Sequence, residues 1–116
     1  MEIQEWQDQV DGWIKEYGVR YFDIKTNTIL LMEEVGELAR IIARMHGEQS
    51  FKKTISEKEQ KQQLEEEIGD VMFVLTCIAN QSGFSLPQIL ESNLAKKSKR
   101  DSQRHKNNPK LTSENT

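Results

Sequence analysis

The sequence predicts an all-α fold, a four-helix bundle of the up-and-down type in a single domain. Apolar residues recur at three- and four-residue spacing in successive stretches, each punctuated by capping residues and glycines. No stretch alternates in the manner of a strand. A chain of 116 residues is long enough to bury one core without disulfides or a structural metal.

Ile3, Trp6, Val10, Trp13 and Tyr17 form one apolar stripe on a first helix that ends near Gly18. The stretch VRYFDIKTNT reads as a loop, with Asp23, Thr26 and Asn27 as candidate N-caps for the next helix. That second helix is expected over about 27–46, stopped by Gly47. Ser56 followed by Glu59 is a capping-box pattern, so a third helix starts near 57, runs to about Ser82 and ends at Gly83. Ser85 with Gln88, and Pro87 in the first turn, open a fourth helix over about 86–100. Beyond Lys106 the sequence NNPKLTSENT has no apolar periodicity and is expected to be disordered. The domain is accordingly placed at 1–104, with 105–116 as a basic and polar tail.

Composition narrows the class. Apolar residues make up 35% and charged residues 30%, and no run approaches the ~18 apolar residues of a membrane span. The N-terminus, MEIQEWQDQV, lacks the apolar core of a signal peptide. The single Cys77 lies in the apolar stretch VMFVLTCIAN and has no partner for an internal disulfide. Together these predict a cytoplasmic protein with an inert core thiol. The net charge of −3 hides an asymmetry, because residues 96–110 hold seven Lys/Arg against one Asp while 17 acidic and nine basic residues precede them. Such a segment suits nucleic acid, a phosphate-bearing small molecule, or solvent. The acidic body and the absence of aromatics within 96–110 argue against nucleic acid.

One motif is written twice. LMEEVGELARI, Leu31 to Ile41, returns thirty-three residues later as LEEEIGDVMFV, Leu64 to Val74. On a helical wheel Leu30, Leu38, Ile41 and Met45 lie within about 40° of Glu34, and Glu37 lies about 60° to one side. Glu33 sits on the flank, about 100° away. On the third helix Val71, Val74 and Ile78 lie within about 40° of Glu67, with Asp70 about 60° aside and Glu66 on the flank. Each helix therefore projects two carboxylates, one turn apart, from its core-facing stripe.

An ionised carboxylate in a core is costly unless it is paired or bound to a cation, and converging acids repel one another. A divalent cation resolves both problems, and oxygen ligands select Mg²⁺, Mn²⁺ or Ca²⁺ over zinc. The plainer alternative is a pair of solvated acids balanced by Lys or Arg, which a single Glu-x-x-Glu would suggest. Two in-stripe copies favour the metal. Gly36 and Gly69 occupy the same place in both copies and each costs about 1 kcal/mol relative to Ala, which suggests close approach of another helix. A di-iron carboxylate bundle uses Glu-x-x-His pairs, and neither His46 nor His105 follows a Glu by three. His46 reads as a helix C-terminal residue. No glycine-rich phosphate loop and no Gly-x-Ser-x-Gly elbow is present.

EEVGE at 33–37 with EEIGD at 66–70 resembles the MazG-like nucleotide pyrophosphohydrolases of the all-α NTP pyrophosphatase superfamily, in their short single-domain form. The resemblance runs from Trp6 to Arg104. It includes YFD before the second helix, GELAR and GDVMFVLTCIAN after the two motifs, and Asn93, Lys96, Arg100 and Asp101 on the fourth helix. It implies Mg²⁺-dependent hydrolysis of a nucleoside triphosphate to the monophosphate and pyrophosphate, with Mn²⁺ as a substitute. By position, Glu34, Glu37, Glu67 and Asp70 would hold the metal, and Glu33 and Glu66 would position or deprotonate water. Lys96, Arg100 and Asn93 would meet the substrate, the two cations at its phosphates. Lys97 departs from the family, whose members often carry an aromatic residue there. The resemblance also implies a homodimer or homotetramer with the site partly built at the interface, and Trp6 and Trp13 read as core or interface residues. A non-catalytic nucleotide- or cation-binding helical module is the alternative, to be told apart by turnover.

Overall fold

The capping residues act where the sequence places them. In the computed structural model, which describes residues 1–112, α1 spans Ile3–Tyr17, α2 Ile24–His46, α3 Glu57–Gln81 and α4 Leu86–Lys106, followed by one helical turn, α5, Pro109–Thr112. No strand occurs among the described residues. Ser56 accepts the Glu59 N–H at 3.2 Å and Ser85 the Gln88 N–H at 3.4 Å, which fixes the starts of α3 and α4. Gly83, at φ 74°, supplies the left-handed turn after α3.

Two boundaries differ from expectation. α2 begins at Ile24 because Asp23, rather than Asn27, caps it, its carboxylate accepting the Thr26 N–H at 2.9 Å. Asn27 is instead buried, donating to Gln81 Oε1 at 2.8 Å. α4 continues to Lys106, where Arg104, His105 and Lys106 suit the negative end of the helix dipole. The segment expected to be disordered beyond Lys106 instead carries α5 at Pro109–Thr112, where Asn108 Oδ1 accepts the Lys110 N–H at 3.0 Å, and residues 113–116 lie outside the described residues.

The main packing is α2 against α3, with α1 laid on α3 and α4 joined to the rest chiefly through α1. Val10, Ile14 and Cys77 form the buried core, flanked by Trp6, Tyr21 and Phe73. The buried face of α1 is thus Gln7, Val10 and Ile14, rotated from the expected stripe; Trp13 is 50% and Tyr17 66% exposed. Gln7 explains the rotation. Its amide donates to Asn80 Oδ1 at 2.9 Å and to the Phe84 carbonyl at 2.7 Å, and its oxygen accepts the Leu86 N–H at 2.8 Å. One buried side chain therefore ties α1 to α3 and to the start of α4, with both ends of its amide satisfied. Trp6 adds a second tie, donating to Thr76 Oγ1 at 2.8 Å.

The arrangement is open. The radius of gyration is 18.0 Å, against about 13 Å for a compact chain of ~100 residues. α4 has no buried residue, and its Leu94 is 67% exposed. Met32, Val35, Ile68 and Met72 on α2 and α3 are exposed as well. A Cβ at Gly36 or Gly69 would meet nothing within 4 Å, so the close helix approach suggested by these glycines is not made within the chain. Among the described residues no helix is long and apolar enough to cross a membrane.

Candidate metal centre

α2 and α3 run antiparallel, which brings the two acid motifs level with each other. Glu34, Glu67 and Asp70 each offer a carboxylate oxygen, and these oxygens all lie within 4.8 Å of one another. Glu34 and Glu67 are half-buried and Asp70 is exposed. Glu34 Oε2 and Glu67 Oε2 are buried without any hydrogen-bond partner. The ion pairs among the described residues are Lys15–Asp11 and Arg100–Asp101, so no Lys or Arg balances the acid cluster. Pairing with Lys or Arg is therefore not what the described residues build, while Glu37 and Asp70 remain exposed to solvent. Unpaired carboxylate oxygens held out of water fit a hard divalent cation, which supplies the missing charge and accepts oxygen ligands in flexible number.

Burial pushes the Glu34 carboxyl above its ordinary value, and the charges of Glu37 and Asp70 push it further. Burial likewise raises Glu67, followed by the charges of Glu37 and Asp70. Glu37 is exposed and stands outside the three converging oxygens, yet its charge reaches both half-buried acids. A carboxyl whose folded pKa exceeds its unfolded value favours the fold while protonated. That contribution is full below the unfolded value of about 4.5 and is lost as pH rises through the folded value. In EDTA, therefore, the melting temperature of the native protein should fall, relative to the Glu34→Gln/Glu67→Gln double variant, as pH rises above about 4.5. Added Mg²⁺ should close the gap by binding the ionised form. Thermal denaturation across pH, with and without the cation, checks this; parallel curves for the two proteins would contradict it.

Glu33 and Glu66 lie exposed on the flanks of the cluster. The three basic-helix candidates are elsewhere. Asn93 and Lys96 border a shallow hollow at the start of α4, with Phe84 and Ile89. Arg100 pairs with Asp101 at 3.2 Å. α4 does not pack on the α2–α3 hairpin to any comparable extent, so one chain alone does not bring Lys96 and Arg100 to the acids.

An apolar cavity of about 260 Å³ opens further along the same seam. Trp13, Arg20, Tyr21, Phe22, Leu30 and Phe73 line it. Trp13 meets Phe73 edge-on, centroids 5.7 Å apart, and Tyr21 donates to Asp11 at 2.6 Å. Leu30 and Val74 lie one turn from Glu34 and Asp70, so the cavity adjoins the acid cluster. Between the lining residues Gly18 and Arg20 in the chain, Val19 adopts φ 69°, an uncommon conformation for a β-branched residue. The sequence signal for the cavity is the aromatic pair Tyr21–Phe22 in the loop; Trp13 reads as an ordinary stripe residue, and Phe73 lies off the stripe of Val71, Val74 and Ile78.

Comparison with known proteins adds a family. The model of the MazG nucleotide pyrophosphohydrolase domain matches residues 22–105. YpjD of Bacillus subtilis (strain 168) is 39% identical over 98 residues, covering 84% of this chain and 85% of YpjD. YvdC of the same organism is 34% identical over 96 residues, covering 78% and 91%. Among solved structures, that of YpjD superposes with a TM-score of 0.73 at 35% identity, covering 87% of this chain and 97% of the other. A Bacillus-conserved MazG protein, described as a nucleotide pyrophosphohydrolase, gives 0.71 at 30% identity, covering 89% and 96%.

Proposed function

The chain belongs to the MazG nucleotide pyrophosphohydrolase family, and on that premise we propose that it hydrolyses (deoxy)nucleoside triphosphates to the monophosphate and pyrophosphate. The setting is housecleaning of the nucleotide pool in the cytoplasm. The observation that carries the reading is that Glu34 and Glu67, each with a buried, partnerless Oε2, also bring carboxylate oxygens within 4.8 Å of each other and of Asp70. Two acids placed at such cost need a function, and divalent-cation binding supplies one.

Glu34, Glu37, Glu67 and Asp70 would hold Mg²⁺, or Mn²⁺ in its place. Such a cation neutralises phosphate charge, polarises the α-phosphate and lowers the pKa of water. The chain's own groups do the rest. Glu33 or Glu66, exposed beside the cluster, accepts the proton of the attacking water on a carboxylate oxygen. The adjoining apolar cavity has aromatic walls and takes the flat ring of the nucleotide. Residues 1–104 form the catalytic unit and the remainder a tail.

The active form is a homodimer or a homotetramer. Support comes from the exposed apolar residues of α2, α3 and α4, from the open glycines 36 and 69 among them, and from the separation of α4 from the acids. A second copy covers these faces and brings its Asn93, Lys96 and Arg100 to the phosphates, with Arg100 exchanging its exposed pairing with Asp101 for bidentate phosphate contacts.

The test is pyrophosphate release from a panel of NTPs and dNTPs, with Mg²⁺ and with EDTA, resolving the products. Monophosphate and pyrophosphate are expected with Mg²⁺ only. No turnover of any nucleotide by folded, self-associated protein would replace this reading with a non-catalytic cation- or nucleotide-binding module.

A further inference from the structure

We infer that Arg44, at the far end of the α2–α3 hairpin, holds the terminal phosphate of the substrate. The triphosphate then lies along the hairpin seam, from the carboxylates toward the 47–56 connection. This deepens the reading above and rests on it for the identity of the ligand.

Arg44 is half-buried, and its Nε is buried with no hydrogen-bond partner. The ion pairs among the described residues leave Arg44 out, whereas Arg100 is paired. A buried guanidinium N–H without an acceptor is costly, and an anionic oxygen removes that cost. An open hollow of about 410 Å³ lies at this place, lined in part by Arg44, Glu48, Gln49, Ser50, Lys53, Thr54 and Gln60. Two cations, two hydroxyls and two amides against one exposed acid make it a place for an anion.

Position along the helices connects this cavity to the acid cluster. Arg44 follows Glu37 by seven residues, and Gln60 precedes Glu67 by seven. Seven residues are two helical turns, about 10 Å, and return to the same face within about 20°. Arg44 and Gln60 therefore flank the seam that Glu37 and Glu67 flank, two turns further on. In the opposite direction Leu30 and Val74 border the apolar cavity. The seam thus runs from aromatic walls, through carboxylates, to cations. A nucleoside triphosphate presents the complementary order of ring, cation-bridged phosphates and terminal phosphate. Neither the repeated acid motif nor the basic segment at 96–110 pointed to Arg44.

The test uses inorganic pyrophosphate with Mg²⁺ as the probe and the full chain in its native association state. Arg44→Gln should weaken pyrophosphate binding by about 10- to 100-fold in calorimetry, as expected for a hydrogen bond to a charged group. Arg44→Lys should recover part of this, since it keeps the charge and loses the fork. With nucleotides, Arg44→Gln should raise KM for triphosphates while leaving the inhibition constants of the matching diphosphates unchanged. In the native protein, the Arg44 Nε–H resonance should shift on titration with pyrophosphate, a readout independent of any variant's folding. A resonance that stays in place at saturating pyrophosphate, or unchanged affinity in a folded Arg44→Gln protein, would overturn the inference. If the native protein cleaves no nucleotide, the enzymatic reading fails, yet the pyrophosphate titration still decides whether Arg44 is an anion site. If the native protein cleaves nucleotides and Arg44 does not respond, only the inference fails.

Discussion

Glu67→Gln should lower pyrophosphate release by at least about 100-fold at saturating Mg²⁺, without lowering the melting temperature in EDTA. Both halves follow from the same geometry. Glu67 Oε2 is buried with no partner, and its carboxyl is raised first by burial and then by the charges of Glu37 and Asp70. An amide of the same shape removes a charge that the metal-free fold tolerates poorly, so the fold gains or stays even. The cation, however, loses a charged ligand, and affinity and turnover fall together. Glu34→Gln should behave the same way, because Glu34 Oε2 is equally buried and partnerless. A purely structural acid would show the reverse, with lost stability and near-native turnover. Turnover is read as pyrophosphate release across a Mg²⁺ titration, and stability by thermal denaturation in EDTA; near-native turnover would remove the carboxylates from the metal centre.

The second large effect is expected on α4. If the chain assembles as proposed, Leu90→Glu/Leu94→Glu should leave monomers and abolish hydrolysis with the acid cluster untouched. Leu86, Ile89, Leu90 and Leu94 fall on one face of a helix that buries no residue within its own chain, and Leu94 is 67% exposed. Covering a leucine stabilises by about 1.5–3 kcal/mol, so two introduced carboxylates would cost an interface several such contributions. Lys96 and Arg100 lie on this same helix, away from the carboxylates of their own chain. Loss of association should therefore take the phosphate contacts with it. Light scattering reads the assembly. A mixing experiment reads the shared site: chains carrying Glu67→Gln and chains carrying Lys96→Ala, each inactive alone, should regain part of the activity when exchanged into mixed oligomers. Active monomers, or mixtures that stay silent, would place the phosphate contacts within one chain.

Much of this was legible in the sequence. The helices begin at Ser56 and Ser85 as the capping patterns require, and Gly83 ends α3. Capping and periodicity are local, decided by residues three or four apart, so a linear reading reaches them. The pairing of two acid motifs on core-facing stripes was legible for the same reason, since helical phase follows from spacing alone. The start of α2 was missed because Asp23, Thr26 and Asn27 are all competent caps, and Asn27 is withdrawn by Gln81, fifty-four residues away. The face that α1 buries was also missed, because Gln7 earns its place only through Asn80, Phe84 and Leu86.

By itself, then, the sequence determined an all-α chain, the phase of its helices and the two carboxylate pairs. Tertiary structure alone decided which carboxylate oxygens converge, which stay without partners, and how far α4 stands from them. It also decided that an aromatic cavity and Arg44 flank the acids along one seam. The physical reason is range. Helix formation is settled by neighbours in the chain, whereas convergence, burial and the loss of a hydrogen-bond partner depend on residues that only the packing of α1, α2 and α3 brings together.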